Sequence, residues 1–253
     1  MFATAAEAQL DWFALTDHDT LAGWQGVRDA QTHGVRLIRG IELSTVWSGV
    51  GIHVVGLNVD VDDETLKAGV ARQQQARAVR AERITEVLQR TGFTLELRAI
   101  EKLAEGMLGR PHFAEYLVKT RQVANRNLVF KRHLGAGKAG DIKTGWASLD
   151  EVVAWIQSAG GIATLAHPSR YKLSRTKLRR LVDAFAQSGG GALEVISGRQ
   201  PDDVTKHLAQ LSTTCGLLAS CGSDFHGPDA AWARLGMPLN LPRACEPIWT
   251  AWQ

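Results

Sequence analysis

The chain has 253 residues, enough for one substantial core, with 45% hydrophobic and 22% charged residues and a net charge of +3. No stretch approaches the ~18 uninterrupted apolar residues of a membrane span, and Met1-Phe2-Ala3-Thr4-Ala5-Ala6-Glu7 lacks the basic-then-apolar order of an export signal. The cysteines, Cys215, Cys221 and Cys245, are odd in number and lack CxxC spacing, which argues against a disulfide framework or a zinc ribbon, so a reducing, cytoplasmic location is expected.

In chain order, residues 10–15 (LDWFAL) predict a buried strand ending at Thr16-Asp17-His18-Asp19. Residues 21–32 predict a helix closed by Gly34, residues 35–38 a strand ending at Gly40-Ile41-Glu42, and residues 52–59 (IHVVGLNV) a third strand. Residues 64–90 predict a long helix stopped by Gly92. Helices are then predicted over 147–159, 178–187 and 202–213, and strands over 162–166, 193–196 and 217–219. Strands alternating with helices imply a mainly parallel sheet. His, Asp and Glu recur at or just after the predicted C-terminal ends of strands, where the βα loops of a β/α barrel converge on an active site. Between residues 100 and 145 the alternation stops and the chain turns basic, helical and loop-rich. The expectation is a barrel of residues 1–63 and 146–253, with residues 64–145 inserted as a helical cap over its mouth.

The charge is uneven. Residues 110–143 hold eight Lys/Arg against Glu115 and Asp141, and residues 170–180 hold six Lys/Arg and no acid. Such clusters suit an anionic partner such as a nucleotide or an RNA end, and they equally describe solvated helix faces.

Taken singly, the polar candidates are ambiguous. Asp17-His18 reads as a helix cap as readily as a ligand pair, and His53, inside an apolar run, as a hydrogen-bonded core histidine. Taken together, five strand-associated segments each offer a His, Asp or Glu to one face. A mixed imidazole and carboxylate set this large suits more than one divalent cation of the Mn²⁺, Fe²⁺ or Zn²⁺ type, and such ions activate water and stabilise charge on phosphoryl oxygens.

In order, Thr16-Asp17-His18-Asp19-Thr20, Gly40-Ile41-Glu42-Leu43-Ser44, His53, Ala166-His167-Pro168 and Gly222-Ser223-Asp224-Phe225-His226 resemble the successive motifs of the PHP (polymerase and histidinol phosphatase) superfamily. Arg77-x-x-Arg80, Gly109-Arg110-Pro111-His112-Phe113, the HPSRY run from His167 to Tyr171 and Pro247-Ile248-Trp249 are similar to its subgroup of 3′,5′-nucleoside bisphosphate phosphatases and 5′-3′ exoribonucleases. The resemblance spans nearly the whole chain. It implies a distorted (β/α)7 barrel and metal ligands at His18, Glu42, His53, His167, Asp224 and His226, with Glu42 as a bridge. His167 and His226 are then candidates for proton transfer. It also implies substrate contacts from Arg77, Arg80 and His112. Arg110 and Arg170 join these on charge and placement, since a guanidinium fork suits phosphate. The implied cofactors are about two to three divalent ions per complete site, Mn²⁺ first.

The expected activity is release of phosphate from nucleoside 3′,5′-bisphosphates and from RNA 5′ ends by metal-activated water. The alternatives are a phosphatase for another small phosphoester, such as histidinol phosphate, and a catalytically impaired nucleotide- or RNA-binding module. The expected partner is a nucleotide or short RNA, with neither a membrane nor an obligate protein partner. The family's opening strand, with its His-x-His and a following Asp, has no counterpart before Asp17. A barrel without its first strand and a correspondingly incomplete metal site are therefore expected, through a mis-assigned start, a shortened chain or a degenerate homologue.

Overall fold

Strand β2 explains much of the architecture. In the computed structural model, which describes residues 2–27, 33–104, 106–143, 145–227, 233–237 and 239–252, β1 is Trp12–Leu15, β2 Arg36–Trp47 and β3 Val50–Leu57. They are followed by β4 Ile162–Leu165, β5 Ala192–Ser197 and β6 Leu218–Gly222. β2 does not stop near residue 38. It runs on through Glu42 and turns at Ser48-Gly49, both with positive φ (47° and 74°), into β3. That is the backbone a two-residue hairpin requires, and Ser-Gly between apolar runs is its sequence cue.

The six strands form one curled half-barrel sheet in sequential order β1-β2-β3-β4-β5-β6. β1–β2, β4–β5 and β5–β6 are parallel, whereas β3 is antiparallel to both β2 and β4. The sheet is mainly parallel, as expected, with β3 the exception, because a two-residue turn can join only antiparallel strands.

The helices are α1 Phe2–Glu7, α2 Ala22–Gln25, α3 Glu64–Arg90, α4 Leu97–Glu101, α5 Arg110–Lys119, α6 Arg126–Val129, α7 Leu149–Ser158, α8 Arg175–Gln187 and α9 Asp202–Thr214. The helix expected over 21–32 is described only as α2, and residues 28–32 lie outside the described residues. α7 opens on a capping box in which Ser148 accepts from the Glu151 N–H and Glu151 accepts from the Ser148 N–H.

The chain divides into two compact units, residues 1–70 with 147–253, and residues 71–146. In the first, strand parity separates two faces. Ile41 and Leu43 of β2, Ile52 and Val54 of β3, Leu165 of β4, and Leu193 and Val195 of β5 pack with Val152, Ile156, Leu181, Val182, Phe185, Leu208 and Leu211 of α7, α8 and α9. Burying each large apolar side chain here contributes about 1.5–3 kcal/mol. The opposite parity holds Ile38, Leu57, Ile162, Ala192 and Leu218, a small apolar cluster closed by Ile248 and Trp252. Further along the same face come Glu42 and Ser44 of β2, His53 of β3 and Glu194 of β5, so one side of the sheet changes from apolar to ionisable within four residues. Gly40 marks the change: a Cβ there would lie 2.7 Å from Thr16 Cγ2 and 3.0 Å from Gly56 O.

In the second unit the rest of α3 joins α4, α5 and α6, and a π-helical turn, Phe130–Leu134, around Ile84, Leu88, Ile100, Phe113, Leu117 and Leu134. No helix of the described residues is long and apolar enough to cross a membrane, and the three cysteines are free thiols.

Candidate metal centre

Backbone pairing at the end of β1 brings the first ligand candidates together. The segment after β1 continues alongside β2, so that His18 bridges Glu42 in parallel register. The Glu42 N–H donates to Asp17 O (3.0 Å) and the Asp19 N–H to Glu42 O (2.8 Å). Asp19 is fully buried at a positive φ of 51°. Its carboxylate accepts the Ser44 N–H (2.7 Å) and Ser44 Oγ–H (2.8 Å). Those two bonds compensate a buried charge and a strained backbone, and they tie the His18 loop to the strand carrying Glu42.

The hairpin supplies the next ligand. His53 lies directly opposite Ser44 on β3, so its ring shares a face with Glu42. Ligand-type atoms of His18, Glu42 and His53 all lie within 4.8 Å of one another. His53 Nδ1 is 2.6 Å, His167 Nε2 3.0 Å and His18 Nδ1 3.8 Å from Glu42 Oε1. Two of the expected ligands thus occupy positions other than the C-terminal end of a strand. Glu42 is mid-strand in β2, and His53 is mid-strand in the antiparallel β3.

His167 follows β4 in a left-handed conformation (φ 30°, ψ 54°), before the 3-10 turn Pro168–Tyr171. Its N–H donates to Glu194 Oε2 at 2.5 Å. The Tyr171 hydroxyl joins the main chains of two ligand-bearing segments, accepting from the His53 N–H (3.0 Å) and donating to Ala166 O (2.6 Å). Asp224 follows β6, also at positive φ (53°). Its carboxylate pairs with Arg170, whose other nitrogen donates to Ser197 Oγ at 3.3 Å. His226 Nε2 stands 3.3 Å from His18 Nε2, and its Nδ1 is 2.9 Å from Asp224 O.

The charges follow from this crowding. Burial alone would raise the Glu42 pKa, but the His18 and His53 imidazoles, with hydrogen bonds from His167 and His53, hold it well below the ordinary glutamate range. Burial works to lower the His167 pKa, and the Glu42 carboxylate outweighs it, so that imidazole is raised. Burial raises the Glu194 carboxyl to about 7, against the lowering pull of His167.

These residues fit a divalent cation. Nitrogen pairs at 3.2 Å (His53 Nδ1–His167 Nε2) and 3.3 Å (His18 Nε2–His226 Nε2) can each share only one proton, so lone pairs converge beside a carboxylate kept ionised. Mixed imidazole and carboxylate donors match Mn²⁺, Fe²⁺ or Zn²⁺.

The remaining candidates are in the helical unit. Arg77 Nη1 donates to Leu108 O (3.2 Å) and Arg80 Nε to Ile142 O (2.6 Å), and both guanidinium groups lie over the Trp146 ring. His112 Nδ1 accepts the Gly109 N–H (3.0 Å). Arg110 bonds Asp141 (2.8 Å) and Leu134 O (2.9 Å), a structural use that charge counting does not disclose. Glu194 escaped the motif reading. Its signal was a carboxylate inside the apolar strand ALEVIS, which is costly unless partnered.

No protein-family model matches the sequence. The chain is 38% identical to the 5′-3′ exoribonuclease Rnm of Escherichia coli, over 98% of this chain and 86% of that protein. It is 36% identical to a 3′,5′-nucleoside bisphosphate phosphatase of Chromobacterium violaceum, over 93% and 84%. A solved amidohydrolase of Chromobacterium violaceum, with bound sulfate and no metal, superposes with a TM-score of 0.89 at 34% identity, covering 99% of this chain and 88% of that one. A Bifidobacterium adolescentis structure described as a metal-dependent phosphoesterase gives 0.76 at 28%, covering 99% and 88%. The chain belongs to the PHP-type metal-dependent phosphoesterase family that contains these exoribonucleases and nucleoside bisphosphate phosphatases, and it is a hydrolase.

Proposed function

We propose that this hydrolase removes phosphate from nucleoside 3′,5′-bisphosphates and from the 5′ ends of RNA. The convergence of His18, Glu42 and His53 within 4.8 Å carries the reading, and the names of the relatives support the substrate class. His18, Glu42, His53, His167, Asp224 and His226 would hold the divalent ions, Mn²⁺ first among them. When bound, such ions supply an activated water and positive charge toward the phosphoryl oxygens.

The chain's own residues do the rest. Glu42, ionised across the working pH range, orients the His53 and His167 imidazoles within hydrogen-bond distance and attracts His18 at 3.8 Å. His167 is almost fully enclosed, which suits a fixed ligand. Of the two proton-transfer candidates the half-exposed His226 is the more open to substrate, and it would serve the leaving oxygen only where it is not holding an ion. Arg170, beside Asp224, is proposed to contact phosphate, as are Arg77, Arg80, Arg110 and His112 of the helical unit, where a planar guanidinium can donate two parallel hydrogen bonds. Residues 64–145 are likewise proposed to form an inserted helical subdomain.

The test is Mn²⁺-dependent phosphate release from adenosine 3′,5′-bisphosphate, with histidinol phosphate as the competing substrate and His226→Ala as the control. Release from the bisphosphate that the substitution abolishes supports the reading. Faster release from histidinol phosphate would reassign the substrate, and binding without release would reassign the chain as a nucleotide-binding module.

A further inference from the structure

The two basic clusters of the sequence are each only partly paired in the fold. In the helical unit Arg110 and Lys143 pair with Asp141, and Lys119 and Arg126 with Glu115, whereas Arg121, Lys131, Arg132 and Lys138 have no carboxylate partner among the described residues. Over residues 170–180 there is no acid in sequence. Of its six exposed cations only Arg170 and Arg179 find a carboxylate, Asp224 and Asp183. Among the described residues, Lys172, Arg175, Lys177 and Arg180 have no such partner.

The cations also run against the preference of the helix that carries them. α7 and α9 each begin with two acids, Asp150 and Glu151, and Asp202 and Asp203, as the positive end of a helix dipole favours. α8 has no acid in its first turn and begins with Arg175 and Lys177 there. Arg175 and Arg179 then repel each other at i, i+4. Helix stability does not call for this arrangement. Four cations between residues 175 and 180 span about 7.5 Å of helix axis, roughly the axial reach of two backbone phosphates. In the chain the patch follows directly on Arg170, which touches Asp224.

We propose that the exposed face of Lys172 and α8 is a docking track for the RNA backbone downstream of the reacting 5′ nucleotide. A single-stranded polyphosphate is favoured over a membrane or a protein because the patch offers charge alone. Among the described residues the one exposed large hydrophobic side chain is Val79, in the other unit. A membrane-surface helix or a protein hot spot would instead present aromatic or aliphatic anchors. The contacts are to phosphates, so binding there is blind to base sequence and steeply dependent on salt.

This inference rests on the RNA arm of the proposed function, so the test reads binding apart from hydrolysis. Anisotropy of a fluorescent 5′-phosphorylated oligoribonucleotide with phosphorothioate linkages is followed against salt. The full chain is compared with the combined variant Lys172→Ala, Arg175→Ala, Lys177→Ala and Arg180→Ala. The expected result is a rise in Kd of about tenfold and a fall of about 1.4 in the slope of log Kd against log salt, from ~0.7 for each of two lost phosphate contacts. The melting temperature should be unchanged or higher, since the helix loses unfavourable charges. With hydrolysable substrates, the ratio of the oligonucleotide KM to the bisphosphate KM should rise. Unchanged Kd and salt slope would overturn the proposal, and loss of binding only to anionic phospholipid vesicles would reassign the patch to a membrane surface. A full chain that releases no phosphate refutes the phosphoesterase reading, and the anisotropy still decides the track.

Discussion

At Glu42 three imidazoles face one carboxylate, and a cation is what such a cluster stabilises best. Glu42→Gln keeps the shape and removes the charge, so Mn²⁺ affinity should fall by at least the ~10–100-fold typical of losing even an outer partner of a metal ligand. A differential scan checks this. Mn²⁺ at a hundredfold its Kd should stabilise the unsubstituted chain by about 2.7 kcal/mol, reversed by chelation, and the variant should show little of that shift. Tyr171 acts one step back, through the main chains of His53 and Ala166. Tyr171→Phe keeps the ring against His167 and removes the acceptor of the His53 N–H. It should cost about 1–3 kcal/mol in urea unfolding and lower Mn²⁺ affinity while leaving every ligand in place. An unaltered titration would show that the hydroxyl does not position the site.

At the level of elements, the β2–β3 hairpin carries Glu42 and His53 into register, and α8 backs the sheet through Phe185. Gly190 leaves α8 directly beneath that ring: a Cβ there would sit 2.2 Å from Phe185 Cε1 and 2.4 Å from Cζ. Gly190→Ala should therefore destabilise the chain by about 1–3 kcal/mol through overpacking, read as a lower denaturant midpoint at unchanged m-value. A neutral result would mean that the fully buried Phe185 can move aside.

For the molecule as a whole, pH stability should carry a signature of the helical unit. Burial would raise the Asp141 pKa, but the Gly137 N–H, Lys143 and Arg110 together lower it. A depressed folded-state pKa contributes stability that is present above the unfolded value of about 4 and is lost as pH falls through the folded value. Asp141→Asn should accordingly destabilise the chain at pH 7 and matter progressively less below about pH 4. A difference that persists undiminished in strong acid would locate the effect in packing rather than charge.

Much of this was legible in one dimension. The long helix at residues 64–90 ends where Gly92 stops it, and most other helices and strands fall close to their expected positions, except β2, which runs nine residues past its expected end, and the helix expected over 21–32, described only as α2. Ordered His, Asp and Glu motifs were enough to name the family and the ligand candidates, because metal chemistry restricts side-chain types more tightly than folding does. Three things were not read from the sequence. The antiparallel course of β3 depends on a two-residue turn that short apolar runs conceal. Glu194 and Tyr171 join the site through contacts across 27 and 118 residues, which no local spacing encodes. Which cations of the two basic clusters are paired is decided only in the fold, because neutralisation depends on which carboxylate the chain brings to each.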